Sequence, residues 1–202
     1  MVSQDPPVNA QTSPAAVGIP VIPTIRLRLR ERSIDDAEAL FGGLSDPELM
    51  TWWSRAPFTT IDELRDYFAP SGNSGWRSWA ITRKGDDRAL GFVAAGEKRQ
   101  GGVSEIGYFL VREAQGQGIA QEAVAAVVDQ LFAEGQRRVF ADCDPDNLGS
   151  IALLERLGFQ LEGRLRAEWR THIGTRDSLI YGLLASEWCA DVQALGVPTR
   201  AT

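Results

Sequence analysis

The feature that most constrains this chain is a run of apolar pairs, Ile119/Ala120, Ala123/Val124, Val127/Val128 and Leu131/Phe132, recurring every four residues until Gly135. That spacing makes one apolar face on a long helix, and Gly135 suits a left-handed helix end. A helix of this kind needs a layer to bury its face against. The surrounding sequence supplies strands. Ile25, Leu27 and Leu29 alternate with Arg26, Arg28 and Arg30, the period-2 pattern of a half-buried strand. Further strand patterns span residues 76–83, 89–95, 103–111, 138–142, 159–169 and 178–184, with a turn at 84–87.

Between them lie helix signals. Ser33 and Asp36 have capping-box spacing before Ala37, Leu40, Phe41 and Leu44. Ser45-Asp-Pro-Glu48 predicts a second short helix with Pro47 in its first turn, and Thr60 with Glu63 a third carrying Leu64 and Phe68. Asn147 opens a helix over 147–157 that Gly158 closes. This order of elements predicts an α/β (α+β) fold, a mixed sheet flanked by helices.

Five of the ten prolines fall in residues 1–24, among Ser, Gln, Thr and Ala. Such a segment buries too little to offset its ordering entropy. The expected organisation is a disordered tail over 1–23, one domain over 24–190 and a short tail over 191–202. The balance of 21 basic against 27 acidic residues, a formal charge of −6, argues against nucleic acid as a partner. No run of 18 apolar residues occurs, and residues 1–24 lack both a basic start and an apolar stretch. A membrane span and a secretory signal are therefore not expected, and a cytoplasmic location is. Two cysteines, Cys143 and Cys189, and a single His172 suggest neither a disulfide framework nor a metal site.

The chemistry concentrates at Gln115-Gly116-Gln117-Gly118-Ile119-Ala120, between a strand pattern and the long helix. Two glycines at this spacing let the backbone turn its N–H groups outward at a helix N-terminus, where an anion such as pyrophosphate is favoured. No Gly-Lys-Ser/Thr follows, and Gln121 stands where a dinucleotide fingerprint has its third glycine, so neither of those loops is present.

The segment resembles the Q/R-x-x-G-x-G/A signature of the GNAT superfamily of acetyl-CoA-dependent N-acetyltransferases, with Gln115, Gly118 and Ala120 on its defined positions. Glu105-Ile-Gly-Tyr108 precedes it. Asn147-x-x-Ser150, Leu154, Leu157, Gly158-Phe159, Glu162-Gly163 and the run from Arg176 to Leu184 follow, in a pattern similar to the RimJ/RimL-like branch. The resemblance covers about residues 24–190. It implies a GNAT fold: a mixed, mostly antiparallel twisted sheet with a splayed central strand pair. It also implies acetyl-CoA as co-substrate and a primary amine as acceptor, on a protein N-terminus or a small molecule. Phe109 and Val111 would contact pantetheine through their backbones, and Gln115, Gly116, Gln117, Gly118, Ile119 and Ala120 would cradle the pyrophosphate. Asn147 would cap its helix and hold the pantetheine arm, and a homodimer is left open.

Ser150, three residues after Asn147, stands in the first turn of its helix. A hydroxyl there can assist departure of a thiolate, supported by the helix N-terminus. An amine must lose its proton before it attacks, which calls for a carboxylate. Three fit: Glu168, at the approximate position of a family carboxylate; Glu105, in phase with Phe109 and Val111; and Asp142, at the end of a short strand. Direct transfer needs no acyl-enzyme, so Cys143 reads as a buried structural thiol and His172 as a turn residue. Trp52 and Trp53 are candidates for the acceptor wall and for core aromatics alike. A non-catalytic acyl-CoA sensor is the alternative, distinguished by the absence of CoA release.

Overall fold

In a computed structural model of the chain, residues 18–69, 75–98 and 101–188 are described. Strand β1 (Ile22–Pro23) pairs with β2 (Leu27–Glu31), placing Ile22 opposite Leu29. Order thus begins inside the segment expected to be a tail through residue 23. Ile22 is buried and Trp79 Nε1 donates to Pro20 O over 2.9 Å, so this stretch gains contacts that its composition did not suggest. Pro23 is accommodated because β1 is the sheet edge, where one row of N–H groups has no ladder partner. The expected tails at 1–17 and beyond 188 lie outside the described residues.

The capping box at Ser33 is present. Asp36 accepts from Ser33 N at 2.8 Å and pairs with Arg30 at 2.7 Å, ahead of α1 (Ala37–Leu44). The second short helix does not form. Asp46 Oδ1 accepts from Glu48 N at 2.8 Å, and this local turn competes with helix. Helix α2 (Ile61–Phe68) starts at Thr60, whose hydroxyl accepts from Glu63 N.

Strands β3 (Trp76–Arg83) and β4 (Asp86–Glu97) form a hairpin tighter than the four-residue turn expected, because Gly85 adopts φ +82. Strand β5 (Val103–Leu110) pairs with β4, and α3 (Ile119–Ala133) realises the long helix. Its apolar face is fully buried from Ile119 to Leu131 and packs on β1, β2, β4, β5 and β6 (Arg138–Cys143). Helix α4 (Leu148–Arg156) follows, then β7 (Gln160–Thr171), β8 (Gly174–Leu184) and α5 (Ala185–Trp188). One eight-stranded sheet results, in the order β1-β2-β3-β4-β5-β6-β8-β7. Its parallel pair, β5 with β6, is the pair that splays.

Gly91 shows how closely β4 and β5 approach at that point. A Cβ on it would lie 2.0 Å from the Phe109 carbonyl oxygen, so a side chain there would push β5 away from β4. Among the described residues no helix is long and apolar enough to cross a membrane.

Candidate active site

Strands β5 and β6 pair through Val103 with Arg138, Ser104 with Val139 and Glu105 with Phe140, and then diverge. Beyond the fork β6 stays with β8, and residues 106–110 of β5 stay with β4. The second edge of that stretch of β5 therefore has no strand against it. A cleft of about 740 Å³ opens here, reached by Tyr108, Asp142, Cys143, Asn147 and Ser150.

Tyr108 Oη and Ser150 Oγ lie 2.6 Å apart, within hydrogen-bond distance. Asn147 caps α4 by accepting from Ser150 N at 3.1 Å. Capping and the Ser150 hydroxyl are thereby separated, since the cap engages the backbone and Tyr108 engages the side chain. Burial pushes the Tyr108 phenol up; its bond to Ser150 opposes this, and the neighbouring Cys143 adds to it. Burial likewise raises the Cys143 thiol, against its contact with Ser150, with Asp144 and Asp142 adding to the rise. A buried thiol shifted upward in this way is a poor nucleophile.

The three carboxylate candidates separate clearly. Asp142 lines the cleft, with both oxygens occupied by neutral donors: the buried Ser178 hydroxyl, and Trp169 Nε1 at 2.9 Å. Glu105 also lines the cleft but is paired with Lys98 at 3.2 Å. Glu168 is exposed and does not line it. The cause is long-range register. Trp169 is paired with Arg176, and Asp142 with Ile180, so Asp142, Ser178, Arg176 and Trp169 share one face of the sheet. Glu168, one residue from Trp169, points the other way. An irregularity between Leu165 and Trp169, with Ala167 at φ +54 and its N–H bonded to Asp177, sets this register.

The glycine turn is built as its sequence suggests, away from the cleft lining. Gly116 and Gly118 adopt φ +71 and +72, and Gly118 is the residue before α3. Helix α3's first-turn N–H groups have no intrahelical acceptor and face outward beside these glycines. Gln115 ties the turn to β5 through Leu110 O at 3.1 Å. Gln117 is held by Glu113 O, Arg26 and Arg83; Arg26 is paired with Glu122 at 2.6 Å, and Arg83 brings positive charge to the turn. Ile119 is buried and Ala120 partly so, as are the side chains of Phe109 and Val111, which leaves backbone as the surface these four can offer. The arrangement suits a nucleotide pyrophosphate at the helix terminus and an extended arm along β5.

Sequence reasoning assigned no role to Tyr108, Trp169 or Arg32, all of which line the cleft. Tyr108 alone had a local signal, a phenol inside a strand pattern that ends at the glycine turn. Trp52 lines the cleft, and Trp53 does both jobs open to it, lining the cleft and packing edge-on against Phe92 at 6.0 Å and Phe109 at 5.9 Å. His172 is exposed in the two-residue turn between β7 and β8.

A splayed parallel pair, a glycine turn leading into a helix and a cleft at the fork define an acyl-CoA-type transferase fold. Residues 26–160 match the acetyltransferase (GNAT) domain, and the chain belongs to this family. It is 33% identical over 171 residues to the uncharacterized N-acetyltransferase p20 of Bacillus licheniformis, covering 82% of this chain and 96% of that protein. A probable GNAT-family acetyltransferase from Chromobacterium violaceum superposes with a TM-score of 0.79 at 27% identity, over 92% of this chain and 100% of the other. RimL, a ribosomal L7/L12 alpha-N-protein acetyltransferase in complex with coenzyme A, shares the fold at a TM-score of 0.72 and 22% identity, over 82% and 98% of the two chains.

Proposed function

We propose that this protein transfers the acetyl group of acetyl-CoA directly to a primary amine within a ternary complex, as a RimJ/RimL-like member of its family. The observation that carries the reading is the Tyr108–Ser150 hydroxyl pair at the open edge of β5, in the cleft that Asp142 also lines. The coenzyme A bound by RimL is consistent with the use proposed here for the glycine turn.

Acetyl-CoA supplies the activated acyl group. Residues 116–120 hold its pyrophosphate with backbone N–H groups, and the free edge of β5 orients the arm. Asp142, fixed by Ser178 and Trp169, accepts a proton from the incoming ammonium and leaves the nitrogen lone pair free. As the nitrogen bonds to the acyl carbon and the carbon–sulfur bond breaks, the Ser150 hydroxyl donates a proton to the sulfur and draws one from Tyr108. The second proton, which the nitrogen sheds on becoming an amide, returns to Tyr108, and Asp142 releases the first to solvent. Burial keeps the Tyr108 phenol protonated at neutral pH, so the pair begins with both protons in place. Glu105, neutralised by Lys98, shapes the floor of the fork.

The test is thiol release from acetyl-CoA, followed with peptides beginning in Ser, Ala and Met, polyamines and simple aryl amines. Acceptor-dependent release supports the proposal. Tight acetyl-CoA binding without release across the panel supports the sensor reading instead.

A further inference from the structure

Arg32 stands apart from the other charged groups around the cleft. Arg176 is engaged by Asp144 and Asp146, Asp177 by Arg164 and Glu105 by Lys98, and Glu31 is exposed. Arg32 has no carboxylate partner among the described residues. Its guanidinium lies 3.9 Å from the Phe68 ring centre and 5.3 Å from that of Phe92. Its Nε is buried without a hydrogen bond, and so is Ser78 Oγ. The two residues are neighbours, joined by Arg32 N donating to Ser78 O at 2.9 Å, and both line the cleft. Two buried donors left unsatisfied in one corner are costly unless an acceptor meets them. Burial also lowers the Arg32 guanidinium, with Tyr67 and Asp36 opposing, and an anion beside it would relieve that cost.

The cleft therefore has a positive corner at Arg32 and a negative point at Asp142, whose partners are both neutral. Arg32 lies over Phe92 of β4, and Asp142 belongs to β6, with β5 between them. Two strand spacings amount to ~10 Å, more where the pair splays. An α-amino acid, whose charges sit one carbon apart, is too short to reach both. The walls between them are aromatic. Trp52, Tyr67, Trp76 and Trp169 are the exposed aromatic side chains among the described residues, and all four line this cleft.

We propose that Arg32 and Ser78 form a carboxylate subsite and that the acceptor is an arylalkyl primary amine whose carboxylate lies across the ring from its aminomethyl group. The subsite rests on the acetyl-transfer reading for its purpose but not for its binding. The probes are 4-(aminomethyl)benzoate, 4-(aminomethyl)benzamide and benzylamine. Their affinities are measured by tryptophan fluorescence with coenzyme A saturating, and their turnover by thiol release.

The expected result is a preference of ~10-fold or more for the carboxylate over the amide, the scale of a hydrogen bond to a charge. Arg32→Gln brings the ratio close to one, Arg32→Lys restores part of it, and Ser78→Ala reduces it by a smaller factor. Melting temperature and acetyl-CoA affinity establish that each variant is folded. Equal binding of carboxylate and amide to the wild type overturns the proposal, and so does a full preference retained in folded Arg32→Gln. Should Arg32→Gln fail to fold, the wild-type ratio and Ser78→Ala decide. A binding preference without thiol release upholds the subsite and rejects acetyl transfer, whereas release with no preference does the reverse.

Discussion

Ser150 donates its backbone N–H to Asn147 Oδ1 at 3.1 Å, while its hydroxyl and the Tyr108 phenol share a hydrogen bond of 2.6 Å. Because the cap does not use the hydroxyl, Ser150→Ala should keep its helix start and leave acetyl-CoA affinity close to wild type, lowering the melting temperature only by what the lost bond to Tyr108 contributes. Its effect should fall on the transition state. General acid assistance is worth ~10²- to 10⁴-fold, and the low end is expected because a thiolate leaves readily. Single-turnover transfer at the wild-type rate would remove Ser150 from the chemistry.

Asn147→Ala should behave oppositely. Loss of the cap costs about 1 kcal/mol of stability, and the loosened first turn of α4 should weaken acetyl-CoA binding as well. Thermal melting with calorimetric titration of the same variant tests both effects.

Asp142→Asn should slow transfer at neutral pH while sparing acetyl-CoA affinity. If the carboxylate serves to take the ammonium proton, the variant's rate should climb with pH as free amine accumulates. An acceptor already neutral at assay pH should lose far less. A uniform loss over all acceptors and pH values would place Asp142 in a purely structural role.

At the glycine turn, Gly118 sits at φ +72, so any side chain there costs roughly 1–2 kcal/mol in backbone strain. Gly118→Ala measures that strain alone. Gly118→Asp adds a negative charge at a helix terminus suited to an anion and should weaken acetyl-CoA binding well beyond the alanine variant. Equal affinities of the two folded variants would show that the turn does not hold the pyrophosphate.

The Arg176 guanidinium holds the Asp144 carboxyl below its usual range, against burial that would raise it. With the folded value depressed, the stabilisation is present above the ordinary carboxylate pKa of ~4 and disappears as pH falls through the folded value. Arg176→Gln should therefore melt below wild type at pH 7, with the gap closing as the solution is acidified through the depressed folded value of Asp144. A gap that persists at the lowest pH would mean that the loss is one of packing.

The glycine turn and the α4 cap, proposed here as the donor half of the site, were legible as structure because they are local devices. A left-handed residue before α3 calls for glycine at Gly118, and an open helix start calls for a cap at Asn147. The acceptor half is assembled by pairings distant in sequence. Whether Glu168 or Trp169 faces the cleft depends on Trp169 meeting Arg176 past an irregular stretch of β7, which no local alternation reports. Arg32 and Ser78 meet only because the chain beyond β2 continues alongside β3. The short helix expected to start at 45–48 failed for a smaller reason: its cap signal is used by a tight turn in which Asp46 accepts from Glu48 N.

One wall of the cleft, carrying Trp169, Thr171, Arg176 and Asp177, belongs to a single hairpin closed by a two-residue turn. Side chains alternate along its arms, so adding or removing two residues on each arm preserves every facing and changes the wall height by ~7 Å. Neither the glycine turn nor the hydroxyl pair lies on those arms. On the acetyl-transfer reading proposed above, acceptor choice is stored in a cassette that evolution or an engineer can lengthen, shorten or exchange while the glycine turn and the hydroxyl pair stay as they are.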